Sequence, residues 1–216
     1  MDYWKIFQIG IWKTLRFNLH YFGLKGFKLP VLVSRNVRLK TLSGGVLIKN
    51  PTPGGIHFGF EGVSIFDWKN EKSIWDNSGN ITFDGKCTLG QGTRIANKGH
   101  LYFGDGFRIT ANSSIICYKN ISFGKDSLVS WNCRFMDTDF HKIYNDQMKR
   151  TNEDQEIIIG EHVWIGSESL ILKGTQIARD NVIASNSVLS KTKIDETNVI
   201  AGSLGKILKR NITWEP

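Results

Sequence analysis

A histidine preceded by two carboxylates is the feature of this 216-residue chain most able to do chemistry. In Asp137-Thr138-Asp139-Phe140-His141 the acids stand four and two residues before the imidazole. Either can accept a hydrogen bond from one ring nitrogen, which fixes the tautomer and leaves the other nitrogen free as a general base. The motif opens a polar stretch, about 136–156, that also holds Lys142, Tyr144, Asp146, Lys149 and Arg150. A structureless segment of that length inside a compact array is either functional or disordered.

The elements that must position this loop announce themselves by a repeat. Phe83, Leu89 and Ile95 stand six apart, and the same types recur at Phe103, Ile109 and Ile115 and at Phe123, Val129 and Phe135. After the polar stretch the step resumes at Ile159, Ile165, Ile171, Ile177, Ile183 and Leu189. Small residues precede these by two positions (Cys87, Thr93, Ser113, Ser127, Cys133, Ser169, Thr175, Ser187), and Gly or Ala often follows. Because strand side chains alternate, the small residue points inward beside the large one. A six-residue period of this kind predicts a parallel β-helix of triangular coils, with the following glycine turning each corner. Residues 31–82 read as irregular early coils, with Phe58-Gly59 as a degraded hexad and aromatic insertions at Phe66, Trp68 and Trp75. Ile207–Arg210 reads as a short cap over the last coil, whose open edge needs cover.

Residues 1–30, closed by Pro30, read as an amphipathic helical leader, and 31–216 as the β-helix domain. In the leader Trp4, Phe7, Ile11, Leu15 and Leu19 recur at helical steps, and Lys5, Lys13, Arg16, Lys25 and Lys28 carry charge. Such a segment suits either a cap on the first coil or peripheral contact with the inner face of a cell membrane. No stretch is apolar enough to span a bilayer, and the leader does not read as a secretory signal. Three cysteines, two of them on the small inward beat, read as core thiols of a cytoplasmic protein. A net charge of +8 suits a polyanionic ligand, but the basic residues read as scattered and form no nucleic-acid module. The five histidines include no close pair, which argues against a metal enzyme, and no metal is expected.

Beyond the loop the chain reads Val163-Trp164-Ile165-Gly166-Ser167, then Val182-Ile183-Ala184-Ser185-Asn186-Ser187-Val188-Leu189-Ser190-Lys191 and Ala201-Gly202-Ser203-Leu204-Gly205-Lys206-Ile207-Leu208-Lys209. In that order these segments resemble the hexapeptide-repeat acyltransferases over Ile81 to Arg210, and most the branch acting on bacterial capsule and surface polysaccharides. The resemblance implies a left-handed β-helix, a homotrimer with active sites between subunits, and acetyl-CoA as cosubstrate. It implies that His141 is the base, oriented by Asp139 or Asp137. It further implies that the Ser167 N–H faces the developing oxyanion and that Trp164 lines the acyl site. Ser185, Ser190 and Lys191 match positions along the coenzyme arm, and Lys206 and Lys209 match a basic tail near its phosphates. Leu204 replaces a proline of the family pattern.

For the acceptor, Tyr118, Trp131, Asn132, Arg134 and Tyr144 are candidates for a polar-aromatic cleft suited to a sugar. The resulting expectation is O-acetylation of a sugar hydroxyl in a surface-polysaccharide precursor. N-acetylation of an amino sugar or antibiotic would use the same base. A non-catalytic scaffold would leave the carboxylate–histidine loop without a purpose.

Overall fold

The structure, a computed structural model, describes residues 7–60 and 62–215. Trp4 and Lys5 of the leader therefore lie outside the described residues. From Val31 onward the chain winds as a left-handed triangular coil whose three faces are parallel sheets, each taking every third strand. The first face runs from Val31–Val33 to Ile200–Ala201, the second from Val37–Thr41 to Val188–Leu189, the third from Gly45–Ile48 to Lys193–Ile194.

The six-residue step is the distance from one face to the next. Leu89, Ile109, Val129, Ile165 and Ile183 align in register on the first face. Ile95, Ile115, Phe135, Ile171 and Leu189 align on the second, and Phe83, Phe103, Phe123, Ile159 and Ile177 on the third. All are buried. Each contributes about 1.5–3 kcal/mol of apolar burial. Phe83, Phe103 and Phe123 stack as a ladder with ring centroids 5.2 and 5.6 Å apart.

Two readings of the sequence change. Trp75 is no insertion; it sits in register with Ile95, 1% exposed, as the inward residue of an early coil. From Gly90 onward the glycines after the inward residue serve close approach rather than positive φ. A Cβ at Gly90 would fall 1.9 Å from the Thr110 carbonyl oxygen of the next coil, and one at Gly124 within 2.4 Å of Gly160 and Glu161 backbone. The left-handed turns come later in each corner, at Asn112, Asp126, Asn132, Asp180 and Asn186 among others. Asn and Asp tolerate that conformation better than most residues.

Both ends are closed. Helix α1 (Ile11–Phe22) continues as a 3₁₀ helix, Gly23–Lys28, and lies across the first coil. Asn18 accepts the Val31 N–H and donates to the Val31 carbonyl, and Thr14 does the same for Val33. Two side chains thus complete the open strand edge. Phe17 packs edge-on against Trp75, 5.0 Å between ring centroids. The buried side of α1 is therefore Thr14, Phe17 and Asn18, whereas Ile11 and Leu19 of the apolar stripe face outward. At the other end Ile207–Lys209 pairs antiparallel with Ile200–Ala201. Among the described residues no helix is long and apolar enough to cross a membrane.

Candidate active site

The polar stretch leaves the coil between Arg134–Met136 on the second face and Ile157–Ile159 on the third, so it projects from the corner joining them. Its tip is a small hairpin closed by a bridge between Tyr144 and Arg150, with the Asn145 side chain accepting the Gln147 and Lys149 N–H groups. Phe140, Ile143, Tyr144 and Met148 stand exposed on it.

The two acids before His141 have different environments. Asp137 is fully buried at the root of the loop, and its carboxylate accepts the backbone N–H groups of Tyr118, Lys119 and Asn120 at 2.7–2.8 Å. It ties two coils together through these backbone groups. Asp139 is bonded to Lys173 Nζ and to Asn152 Nδ2. The Lys173 ammonium, foremost, and the Asn152 amide hold its carboxyl below the usual carboxylate range. Lys173 itself is buried and also donates to the Asn152 carbonyl. Asn152 in turn donates to the His141 carbonyl at 2.7 Å and accepts the Ile143 N–H. Sequence reasoning missed Lys173 and Asn152, which lie 32 and 11 residues beyond the histidine and carry no local pattern. The His141 N–H closes a three-residue turn on Asp139 O, with Phe140 at φ +60°. The imidazole is exposed and bonds to no described residue, leaving both nitrogens open to a partner or substrate.

The other candidates fall on a second edge. Trp131, Asn132, Ser167 and Ser185 lie at the corner between the first and second faces, on successive coils linked by Glu168 N–H to Trp131 O and Asn186 N–H to Ser167 O. The Ser167 N–H donates to no acceptor among the described residues, and its hydroxyl lies 3.3 Å from that of Ser185. Trp164 projects from the adjoining first face, 37% exposed, its indole N–H on Ser130 Oγ. The chain's end folds back beside it: Ile212 and Trp214 pack on Val182, and Trp214 lies 6.0 Å from the Trp164 ring. His162 is stacked under Trp214 at 4.3 Å and bonded to Asp180.

The strand Leu170–Leu172 of the second face separates the two edges, with Ser167 at the corner before it and Lys173 at the corner after it. Ser190 and Lys191 fall on the loop's edge, one coil beyond Lys173, with the Lys191 N–H on Lys173 O. The structure thus keeps His141, Asp139, Tyr144, Ser190 and Lys191 together and holds Trp131, Asn132, Trp164, Ser167 and Ser185 apart from them. Arg134 stands exposed on the strand between. Lys206 and Lys209 lie on the terminal cap; like Lys191 they form no ion pair among the described residues, whereas Arg210 is paired with Glu196. Beneath the loop a cleft of about 290 Å³ is lined by Asp76, Ser78, Asn97, Lys98, Tyr118 and Phe140, with Lys40 beside Asp76. Among the described residues no group of three or more His, Cys, Asp or Glu is arranged to hold a metal.

Comparison with known proteins agrees with this architecture. The family model "Bacterial transferase hexapeptide (six repeats)" matches residues 156–191. An uncharacterized 24.8 kDa protein of the cps region of Klebsiella pneumoniae is 32% identical over 213 residues, covering 96% of this chain and 89% of that one. WbbJ of Escherichia coli K12, provisionally named a lipopolysaccharide biosynthesis O-acetyl transferase, is 30% identical over 145 residues, 62% of this chain and 74% of its own. The crystal structure of the polySia-specific acetyltransferase NeuO shares the fold, with a TM-score of 0.52 at 20% identity over 87% of this chain and 79% of that one. The chain belongs to the hexapeptide-repeat acyltransferases, near those of capsule and lipopolysaccharide assembly, and is an acyltransferase.

Proposed function

We propose that this protein is an acetyl-CoA-dependent O-acetyltransferase acting on a sugar hydroxyl of a surface or capsular polysaccharide precursor, and that it works as a homotrimer. The observation that carries the reading is the division of the candidate residues between two edges of one coil. With the His141 loop on one edge and Trp164 and Ser167 on another, a site using all three takes the loop of one protomer and the Trp164 edge of the next. Three flat faces lend themselves to packing about a threefold axis.

In that site His141 takes the hydroxyl proton as the oxygen attacks the thioester carbonyl, because an alcohol is far too weak an acid to ionise first. The Ser167 N–H faces the carbonyl oxygen as it gains charge, and Trp164 walls the acyl group. When the C–S bond breaks, the imidazolium returns the proton to the leaving thiolate. Asp139 acts on His141 through the loop: with Lys173 and Asn152 it fixes the backbone that carries the ring. The cosubstrate fits the residues present, since Lys191, Lys206 and Lys209, which form no ion pair among the described residues, offer cations for its phosphates and Ser185 and Ser190 supply hydroxyls along the arm. The cleft under Phe140 and Tyr118, with its acid, amide and aromatic lining, suits a sugar and brings it to the loop. Trp131 and Asn132 reach the acceptor only from the neighbouring protomer. The name of WbbJ supports an O-linked acetyl group on a glycan. The protein's place is the cytoplasm, in peripheral contact with the inner membrane face.

The test is to compare surface polysaccharide from cells with and without this chain by mass spectrometry. The expected result is one class of acetylated sugar lost with the chain, its acetyl removable by mild alkali as an ester is. An alkali-stable acetyl would mean amide formation and would overturn the O-acetyl assignment.

A further inference from the structure

The first 60 residues hold nine Lys or Arg against one carboxylate, Asp2, a formal charge of +8. The other 156 residues hold 19 of each sign, so the whole net charge of the protein belongs to its helix and first coil. Folding leaves much of it uncompensated. Lys40 and Lys49 pair with Asp76 and Asp84, and Lys13 is turned onto the Arg35 and Val37 carbonyls. Arg16, Lys25, Lys28, Arg35 and Arg38 pair with no carboxylate among the described residues.

Bare apolar side chains stand among these cations. Trp12, Leu24 and Phe27 are 83%, 84% and 63% exposed, although α1 buries its other side in the cap. Next to them an apolar groove of about 420 Å³ runs between the 3₁₀ helix and the third face, lined by Phe22, Pro30, Leu47 and Ile48 with Lys25 and Lys28. Polar capping of the coil needs none of this. A second copy of the same end would set like charges against each other. A nucleic acid would meet the cations but leave Leu24 bare.

We propose that this end of the coil docks on an anionic phospholipid bilayer. Lys25, Lys28, Arg16 and the arginines of the first coil meet headgroup phosphates, while Trp12, Leu24 and Phe27 enter the boundary between headgroups and acyl chains. The groove takes the end of one acyl chain. This deepens the reading of peripheral work at the inner membrane face, by naming the surface and the lipid class. Four coil steps of about 4.8 Å then hold the His141 loop roughly 20 Å above the docked end, within reach of a sugar carried on a membrane lipid.

Full-length protein is co-sedimented with vesicles of phosphatidylcholine alone and of phosphatidylcholine mixed with phosphatidylglycerol, at low and high salt. Binding is expected to the anionic vesicles only, weakened by salt. Each basic group near a membrane surface raises affinity roughly fivefold. Replacing both lysines (Lys25→Glu, Lys28→Glu) should therefore lower it at least 20-fold. Joint replacement Trp12→Ser, Leu24→Ser, Phe27→Ser should abolish binding with the melting temperature unchanged. Wild-type protein remaining in the supernatant at low salt would overturn the proposal. So would full binding by the triple serine variant, which would mean attraction to any polyanion, or a smaller oligomer for that variant, which would make the face a contact between copies. Acetyl transfer to a soluble acceptor is read separately, so loss of docking and loss of catalysis are told apart.

Discussion

His141 and the two acids before it show how neighbours in sequence are set to different tasks by burial. The imidazole is exposed and bonds to no described residue, so His141→Ala should leave the melting temperature unchanged. The same substitution should slow acetyl transfer about 10²- to 10⁴-fold, the usual worth of a general base. A variant keeping more than roughly a tenth of wild-type turnover would remove His141 from the chemistry. Asp137→Asn puts an amide N–H against the N–H groups the carboxylate now accepts. Leaving buried donors unsatisfied costs about 1–3 kcal/mol. The melting temperature should fall by roughly 3–10 °C at this chain length. Asp139→Asn should instead lower turnover at nearly constant stability, with faster proteolysis between 140 and 150. Both outcomes together separate the structural acid from the one that steadies the loop; a reversed pattern would refute the assignment. Because Lys173 holds the Asp139 carboxyl below its ordinary range, this anchor is whole at neutral pH and loosens only as pH falls through that lowered value.

At the scale of elements, the coil is held by inward ladders and by its two closed ends. Asn18 supplies both a donor and an acceptor to Val31, a role no apolar residue of the leader can fill. Asn18→Ala should cost about 1–3 kcal/mol, seen as a lower denaturant midpoint, because two buried backbone groups lose their partners. A midpoint equal to wild type would mean the helix does not seal the edge. The coil also shields its thiols. Cys87, Cys117 and Cys133 are free and buried, and burial pushes the Cys133 thiol up to about 12. A thiol reagent should find no cysteine in the native protein at pH 8 and all three after unfolding. Since the folded pKa is raised, the thiols' contribution is complete below the ordinary thiol range. It is lost as pH climbs from about 9 toward the folded value. Urea midpoints between pH 8 and 11 should show that decline, and Cys133→Ala should make it shallower while Cys87 and Cys117 keep the rest.

For the whole molecule, the proposal turns on a site completed between protomers. Chains carrying His141→Ala and chains carrying Trp164→Ala should each be inactive. Denatured and refolded together, they should regain activity, because mixed trimers rebuild some interfaces with an intact His141 facing an intact Trp164. No recovery, despite subunit exchange shown by native mass spectrometry, would place both residues in one chain's site. Sedimentation of the wild-type protein should give the mass of three chains.

The sequence by itself determined the coil. A large apolar residue every six positions, with a small one two before it, can be buried only if three strands close a triangle, and Leu89, Ile109 and Val129 stack as that spacing requires. It also placed the loop and His141, because a polar interruption of a strict repeat is visible without coordinates. Trp75 was legible as well, since it stands twenty residues before Ile95, the step that also separates Ile95, Ile115 and Phe135; its size among neighbouring aromatics disguised it as an insertion. The outward face of α1 was hidden because its partner strand asks for Asn18 and Thr14 beside Phe17, so two polar residues take buried places and Ile11 and Leu19 are left outside. Only the tertiary structure decided that Asp137 serves the backbone, that Asp139 leans on Lys173 and Asn152, and that Trp164 and Ser167 lie an edge away from His141. Those relations join residues on different coils and corners. A short-range repeat fixes how the chain turns, whereas long-range contact fixes which side chains meet.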